Sequence, residues 1–143
     1  MTLVQKSALV KYSARQMFDL VNDIEAYPKF LPWCSGSRII KREEDYVEAE
    51  LMISKGGFKK SFSTRNQIDM GGRITVYLLD GPFSHLEGVW NFMPLREDAS
   101  KISLDLEFEM SGVLANLAFG AVFNQICNTM VASFTSRAKE VYG

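Results

Sequence analysis

Ile102–Met110 reads ISLDLEFEM, and no charged residue follows until after Ser136. In the first stretch Ile102, Leu104, Leu106, Phe108 and Met110 share one side, opposite Ser103, Asp105, Glu107 and Glu109. Such a period of two marks a β-strand with one dry and one wet face. Beyond it Phe119, Phe123, Ile126, Cys127, Met130, Phe134, Ala138 and Val141 recur at helical spacing, with Asn124, Gln125, Asn128, Ser136, Lys139 and Glu140 on the other side. The reading is a strand feeding one long helix, about Val113 to Val141. A membrane span needs about 20 predominantly apolar residues; Asn116, Asn124, Gln125, Asn128 and Thr129 argue against one here.

Upstream, the same alternation returns. Val47, Ala49, Leu51 and Ile53 oppose Glu48 and Glu50, and turn signals at Gly56-Gly57, Gly71-Gly72, Gly81-Pro82 and Glu97-Asp98 separate the runs. Six strands are expected between Ser35 and Met110, and a seventh at Leu3–Val10. Ser13 and Gln16 then form a capping box for a short helix that buries Met17, Phe18, Leu20 and Val21. Asp23 can cap a second short helix that stops or bends near Pro28. The expected class is α+β: a curved seven-stranded antiparallel sheet around a long C-terminal helix, with two short helices after strand one. An antiparallel sheet must bury one face, and only the long helix can cover it.

The chain has 143 residues, 47% hydrophobic and 23% charged. That is ordinary for one globular domain, taken as residues 1–143, and unlike a disordered chain. The net charge of −1 gives no global attraction to nucleic acid or anionic lipid, so such binding would need a local patch. Cys34 and Cys127 are far apart in sequence and read as reduced thiols. The N-terminus lacks an apolar run of signal-peptide length, so the chain is expected to begin near Met1 and stay inside the cell.

Two stretches stand out. Asp23–Gly36, DIEAYPKFLPWCSG, crowds apolar side chains around two prolines. The first turns of the long helix, Val113–Phe123, are apolar nearly all round, with Leu114, Leu117 and Val122 off the main stripe. The two are expected to meet at one end of the sheet and close it together. A third stretch, Lys55–Arg65, carries Lys55, Lys59, Lys60 and Arg65 across a hairpin tip and strand; it reads as a solvated edge or as a phosphate contact.

Catalytic patterns are missing. No H-E-x-x-H, C-x-x-C, G-x-G-x-x-G or G-x-S-x-G occurs. The one histidine, His85, has no evident nucleophile or orienting acid and reads as a surface residue. Asp80, in LLDGPF, reads as a turn residue. Trp90 and Phe92 share the sheet's concave side, as core or as cavity lining. The expectation is a protein without catalytic residues, catalytic cofactor or metal.

The segments DIEAYPKFLPWCSGSRI, SFSTRN, LLDGPFSHLEGVWNFMPL and FNQICNTMVASFTSRAKEVYG together resemble the coenzyme Q-binding protein family, which includes bacterial members called ribosome association toxin A. The motif YP-x-FLPWC and the pair DGPF and L-x-G-x-W-x-F are its independent anchors, and the likeness covers nearly the whole chain. It implies a START-like, Bet v 1-like helix-grip domain with a deep apolar cavity. It also implies ubiquinone or another polyprenyl lipid as ligand, in support of respiration. On that reading Tyr27, Phe30, Leu31 and Trp33 flank the cavity mouth near a membrane surface, faced by Leu114, Leu117 and Phe119. Phe83, Trp90 and Phe92 from the sheet, with Phe123 and Met130 from the helix, would contact the ligand. The alternative that the resemblance implies is binding to the large ribosomal subunit and inhibition of subunit association. Lys55, Lys59, Lys60 and Arg65 would then be the contacts, with Arg137 and Lys139 behind them. The chain looks bacterial, cytoplasmic, and at most peripheral to the inner membrane.

Overall fold

The computed structural model describes every residue except 113, and all side chains except those of residues 113–116. The expected helix start at Val113 and the expected contact of Leu114 therefore lie outside the described residues. Seven strands form one antiparallel sheet: β1 (Thr2–Val10), β2 (Cys34–Arg42), β3 (Tyr46–Lys55), β4 (Phe58–Asp69), β5 (Arg73–Asp80), β6 (Phe83–Arg96) and β7 (Ala99–Met110). Their spatial order is β1-β7-β6-β5-β4-β3-β2, so β2 to β7 are a meander and β1 is added beyond β7. Helix α1 (Ala14–Asn22) and a 3₁₀ helix (Ile24–Lys29) link β1 to β2, and α2 (Leu114–Tyr142) lies in the concave face.

The start of α1 follows from its sequence. Gln16 N–H donates to Ser13 Oγ at 3.1 Å, and Ser13 N–H donates to Gln16 Oε1 at 2.9 Å, which pairs two amides the helix cannot pair itself. Met17, Phe18, Leu20 and Val21 are its buried face. Pro28 fits inside the second element because a 3₁₀ helix of only two turns asks little of its missing N–H.

The alternating runs face as the period requires. Val47, Ala49, Ile53, Ile102, Leu104, Phe108 and Met110 are buried. Leu51 and Leu106, on the same inner faces, are only half-buried. Helix α2 buries Phe119, Phe123, Ile126, Cys127, Val131, Phe134 and Ala138. Its outward face carries small or polar residues, Ala118, Ala121, Gln125, Asn128, Ala132 and Ser136, with Leu117 and Val141 exposed towards its ends. From Leu117 to Tyr142 the helix is long and apolar enough to cross a membrane by length and composition, but its apolar stripe is seated on the sheet.

Two aromatic clusters fix that seating. Phe123 meets Phe83 and Phe108, each at 4.8 Å between ring centroids, and Phe62 at 5.8 Å. Three helical turns later Phe134 meets Phe30 at 5.3 Å and both Tyr27 and Trp90 at 5.4 Å. The aromatic–proline segment therefore packs on the C-terminal half of α2, not on its start. Phe119 and Phe134 are 15 residues apart, roughly 22 Å along the axis, so the two apolar stretches cannot close one end together. The helix start is covered by the β3–β4 hairpin instead, with Phe58 on Phe119 at 5.6 Å.

Phe134 is wholly buried, at 0% exposure, and joins three elements. Phe134→Ala should lower unfolding free energy by about 3–5 kcal/mol in chemical denaturation. A loss below about 1 kcal/mol would mean that the segment does not depend on this ring.

Candidate functional site

The half-buried inner-face residues mark a cavity. It has a volume of about 80 Å³. The space lies between the middle of α2 and the centre of the sheet. Phe123, Ile126, Cys127 and Met130 form its roof; Val21, Ile24, Tyr27 and Trp33 form one wall. Its floor includes a row in register across four strands, Asn66–Val76–Gly88–Leu106. Gly88 is covered rather than open: a Cβ there would stand 3.1 Å from Leu106 Cδ1. Leu106 leans into the room that glycine leaves, without filling the row.

The lining is apolar apart from a few groups, and none of its side chains is charged at neutral pH. Tyr27 donates its hydroxyl proton to the Val21 carbonyl. Burial, then the neighbouring Cys34 and Asp23, push its pKa far up, so the phenol stays neutral. Burial pushes the Cys127 thiol up to about 12, so it is not a nucleophile at neutral pH. Thr64 Oγ1 donates to Asn66 Oδ1 at 2.9 Å. Trp33 is 5% exposed, and its indole N–H is buried with no acceptor.

Of the side chains expected to meet a ligand, Tyr27, Trp33, Trp90, Phe123 and Met130 line this cavity. Leu31, Phe83, Phe92 and Phe119 are buried in the surrounding core without reaching it, and Phe30 is half-buried against Phe134. Leu117 is a correction: it is 55% exposed and faces a surface groove beside Met1, Thr2 and Gly120. The mouth expected around Trp33 is a second correction. Tyr27, Leu31 and Trp33 are buried, so this segment is a wall and plug rather than an apolar rim open to a membrane. Thr64 was read only within the basic stretch and the segment SFSTRN, and Asn66 only within that segment, yet they carry the cavity's polar pair. Their signal was present: Phe62, Thr64, Asn66 and Ile68 alternate on one face, two polar residues between two apolar ones.

The basic stretch divides. Lys55 and Lys59 are exposed about the Gly56–Gly57 turn, whose φ values of 61° and 83° suit glycine. Lys60 is half-buried on the inner face, across from Ile53. Among the described residues none of the three lysines makes an ion pair. Arg65 is committed elsewhere: its Nη2 and Nε lie 2.8 and 3.0 Å from Glu48 Oε2, and its guanidinium sits 4.2 Å from the Tyr46 ring centre. A carboxylate this close neutralises the charge that a phosphate would need. Arg137 is also withdrawn, its side chain 20% exposed and its guanidinium 5.0 Å from the Phe30 ring centre.

On the outer face of the sheet His85, Glu87 and Glu107 offer donor atoms within 4.8 Å of one another, with His85 Nε2 3.2 Å from Glu107 Oε1. Among the described residues this is the group that could hold a metal ion. It is separate from the cavity and only half-buried.

Comparison with known proteins fits this geometry. A profile of the family described as polyketide cyclase / dehydrase and lipid transport matches residues 10–135. The chain belongs to that family. Within it, the chain is 50% identical over 143 residues to the ribosome association toxin RatA of Vibrio cholerae serotype O1, covering 100% of this chain and 99% of that protein. It is 27% identical to the mitochondrial coenzyme Q-binding protein COQ10 homolog B of Xenopus laevis, covering 96% of this chain and 58% of that protein. Among solved structures, the Zhui aromatase/cyclase of Streptomyces sp. R1128 superposes with a TM-score of 0.86 at 16% identity, over 96% of this chain and 93% of that one. That likeness shows the fold: a START-like helix grip.

The buried Cys127 thiol gives a direct check on the cavity roof. At pH 8 the native protein should leave Cys127 unmodified by a small disulfide reagent, and denaturant should expose it. Rapid modification of Cys127 in the native state, read in a Cys34→Ser background, would show the roof to be open.

Proposed function

We propose that this chain associates with the ribosome, as the name of its RatA relatives says of them, and that it acts without covalent chemistry. The carrying observation is identity at half of all positions over the full length of such a relative. The structure supplies a surface suited to it. Lys55 and Lys59 project beside a two-glycine turn and, among the described residues, have no carboxylate partner, so a phosphate backbone could reach them. Arg65 and Arg137 contribute nothing to that surface, for the reasons above.

Co-sedimentation with purified large subunits across a salt series tests the reading. Association should weaken steeply as salt rises. Lys55→Glu/Lys59→Glu should lower the slope of log affinity against log salt by about 1.5–2 units, two phosphate contacts' worth. Unchanged association of the double variant would remove the hairpin from the interface, and no association of the wild type would remove the reading.

A second reading concerns the interior. The cavity is apolar, uncharged and lined by residues of every layer, and a COQ10 homologue is a distant relative. A neutral lipid such as a polyprenyl quinone suits it chemically. At about 80 Å³ the space holds roughly three water-sized groups. That admits part of a head group, so a longer molecule requires the half-exposed Met130 and Leu51 to give way. Lipid extraction and mass spectrometry of freshly purified protein tests occupancy. Val76→Phe, which grows a ring into the cavity floor, should abolish co-purifying lipid and leave ribosome co-sedimentation unchanged. Retention of a stoichiometric lipid by that variant would place the lipid outside the cavity.

A further inference from the structure

We infer that His85, Glu87 and Glu107 form a binding site for a divalent transition-metal ion, zinc in the first place, on the outer face of the sheet. The site is separate from the cavity and from the lysine hairpin.

Two adjacent strands place the three side chains. His85 and Glu87 are two residues apart on β6, so both face outward, while Leu86 and Gly88 between and beyond them are turned in. Glu107 stands directly opposite Glu87 on β7. His85 Nε2 is 3.2 Å from Glu107 Oε1, and the three donor atoms lie within 4.8 Å of one another. Zinc holds nitrogen and oxygen ligands at about 2.0–2.2 Å, which sets neighbouring ligand atoms roughly 3–3.5 Å apart. His85 and Glu107 already stand at that spacing. Among the described residues Glu87 has no hydrogen-bond or ion-pair partner, so its side chain can rotate to complete the triad without breaking a contact.

Charge is the second reason. Like charges directly opposite one another destabilise a sheet, yet Glu87 faces Glu107. Their row reads Leu3–Glu107–Glu87–Tyr77 across β1, β7, β6 and β5, with no basic side chain on either flank. The neighbouring rows add two more carboxylates: Asp105 opposite Val89, and Glu109 opposite His85. Arg65, next beyond Tyr77, is held by Glu48. Four carboxylates therefore share this part of the face with one imidazole, and a divalent cation between Glu87 and Glu107 offsets their repulsion. The donor set also selects the ion. One imidazole nitrogen with two carboxylate oxygens suits zinc, whereas magnesium and calcium take oxygen ligands. Three protein ligands leave a coordination position for water, on the side where Glu87, Glu107 and Asp105 border a surface depression.

Isothermal titration of tag-free, full-length protein with zinc chloride tests the assignment. His85 is the chain's one histidine, so its imidazole ¹⁵N resonances give a residue-level readout. One zinc ion should bind per chain, shift the Nε2 resonance and raise Tm; magnesium chloride at the same concentration should do none of these. Changing a residue that only supports a metal ligand costs about 10–100-fold in affinity, so removing a ligand should cost at least about tenfold. That loss is expected for His85→Gln, Glu87→Gln and Glu107→Gln. Glu109→Gln, which removes the same charge from the next row, should leave the affinity nearly unchanged. Equal weakening by Glu109→Gln and Glu87→Gln would reduce the effect to general attraction by an acidic face and overturn the site. Full affinity in His85→Gln would place the ion elsewhere and overturn it too. The His85 resonance of the wild type decides the matter if a variant does not fold: a resonance that zinc leaves unmoved overturns the assignment.

Discussion

The fold depends on helix α2 being held above the sheet at two points. Phe123 is locked among Phe62, Phe83 and Phe108, and Phe134 among Tyr27, Phe30 and Trp90. Eleven residues separate them, roughly 16 Å of helix. Edge-on aromatic rings are wide, and they set the height of the helix at both ends of that span. Between them the sheet lining includes the smaller Ala49, Thr64 and Val76 among Ile74, Leu86 and Leu104, while the roof offers Ile126, Cys127 and Met130. A stiff helix cannot sag to follow the smaller side chains. The cavity is the remainder of this mismatch, so it belongs to the architecture and not to one missing side chain.

That constraint explains what could be read from the sequence. Strand alternation and helical spacing are local, and they suffice for the count of seven strands, for the first strand at Leu3–Val10 and for the end of the long helix near Val141. The capping box of Ser13 and Gln16 is equally local. Which turn of α2 meets the segment 23–36 is not. Phe30 and Phe134 are distant in sequence, and both halves of α2 offer phenylalanines at the right spacing, so periodicity fits either docking. The apolar excess of the helix start drew the wrong partner. Of its described residues, Phe119 is met by Phe58, while Leu117 is turned to solvent.

Charge was legible only as composition. Four basic residues within eleven looked like one patch, but strand geometry separates them. Lys60 points inward, Lys59 outward, and Arg65 lies six residues, roughly 20 Å, further along the same strand. Glu48, which stands opposite Arg65 in the β3–β4 register, claims its guanidinium. Likewise SFSTRN reads as a polar run until register assigns Thr64 and Asn66 to the inside. A polar residue on an otherwise apolar strand face was the more informative sign, because burying it requires a partner.

The cavity and the lysine hairpin are on different surfaces, yet they share one helix. The hairpin is seated by Phe58 on Phe119, and a Cβ at Gly56 would touch Val122 Cγ2 at 3.4 Å. Phe119 in turn packs on Phe123, which belongs to the cavity roof. A ligand large enough to lift the roof must therefore move side chains that hold the hairpin, or bend the helix between its two aromatic clusters. Close-packed interiors do not absorb such a change continuously. If the two sites are linked through this contact, the linkage is reciprocal: whatever factor a ligand imposes on ribosome affinity, the ribosome imposes on ligand affinity. Lipid handling and ribosome association would then be two readings of the position of α2.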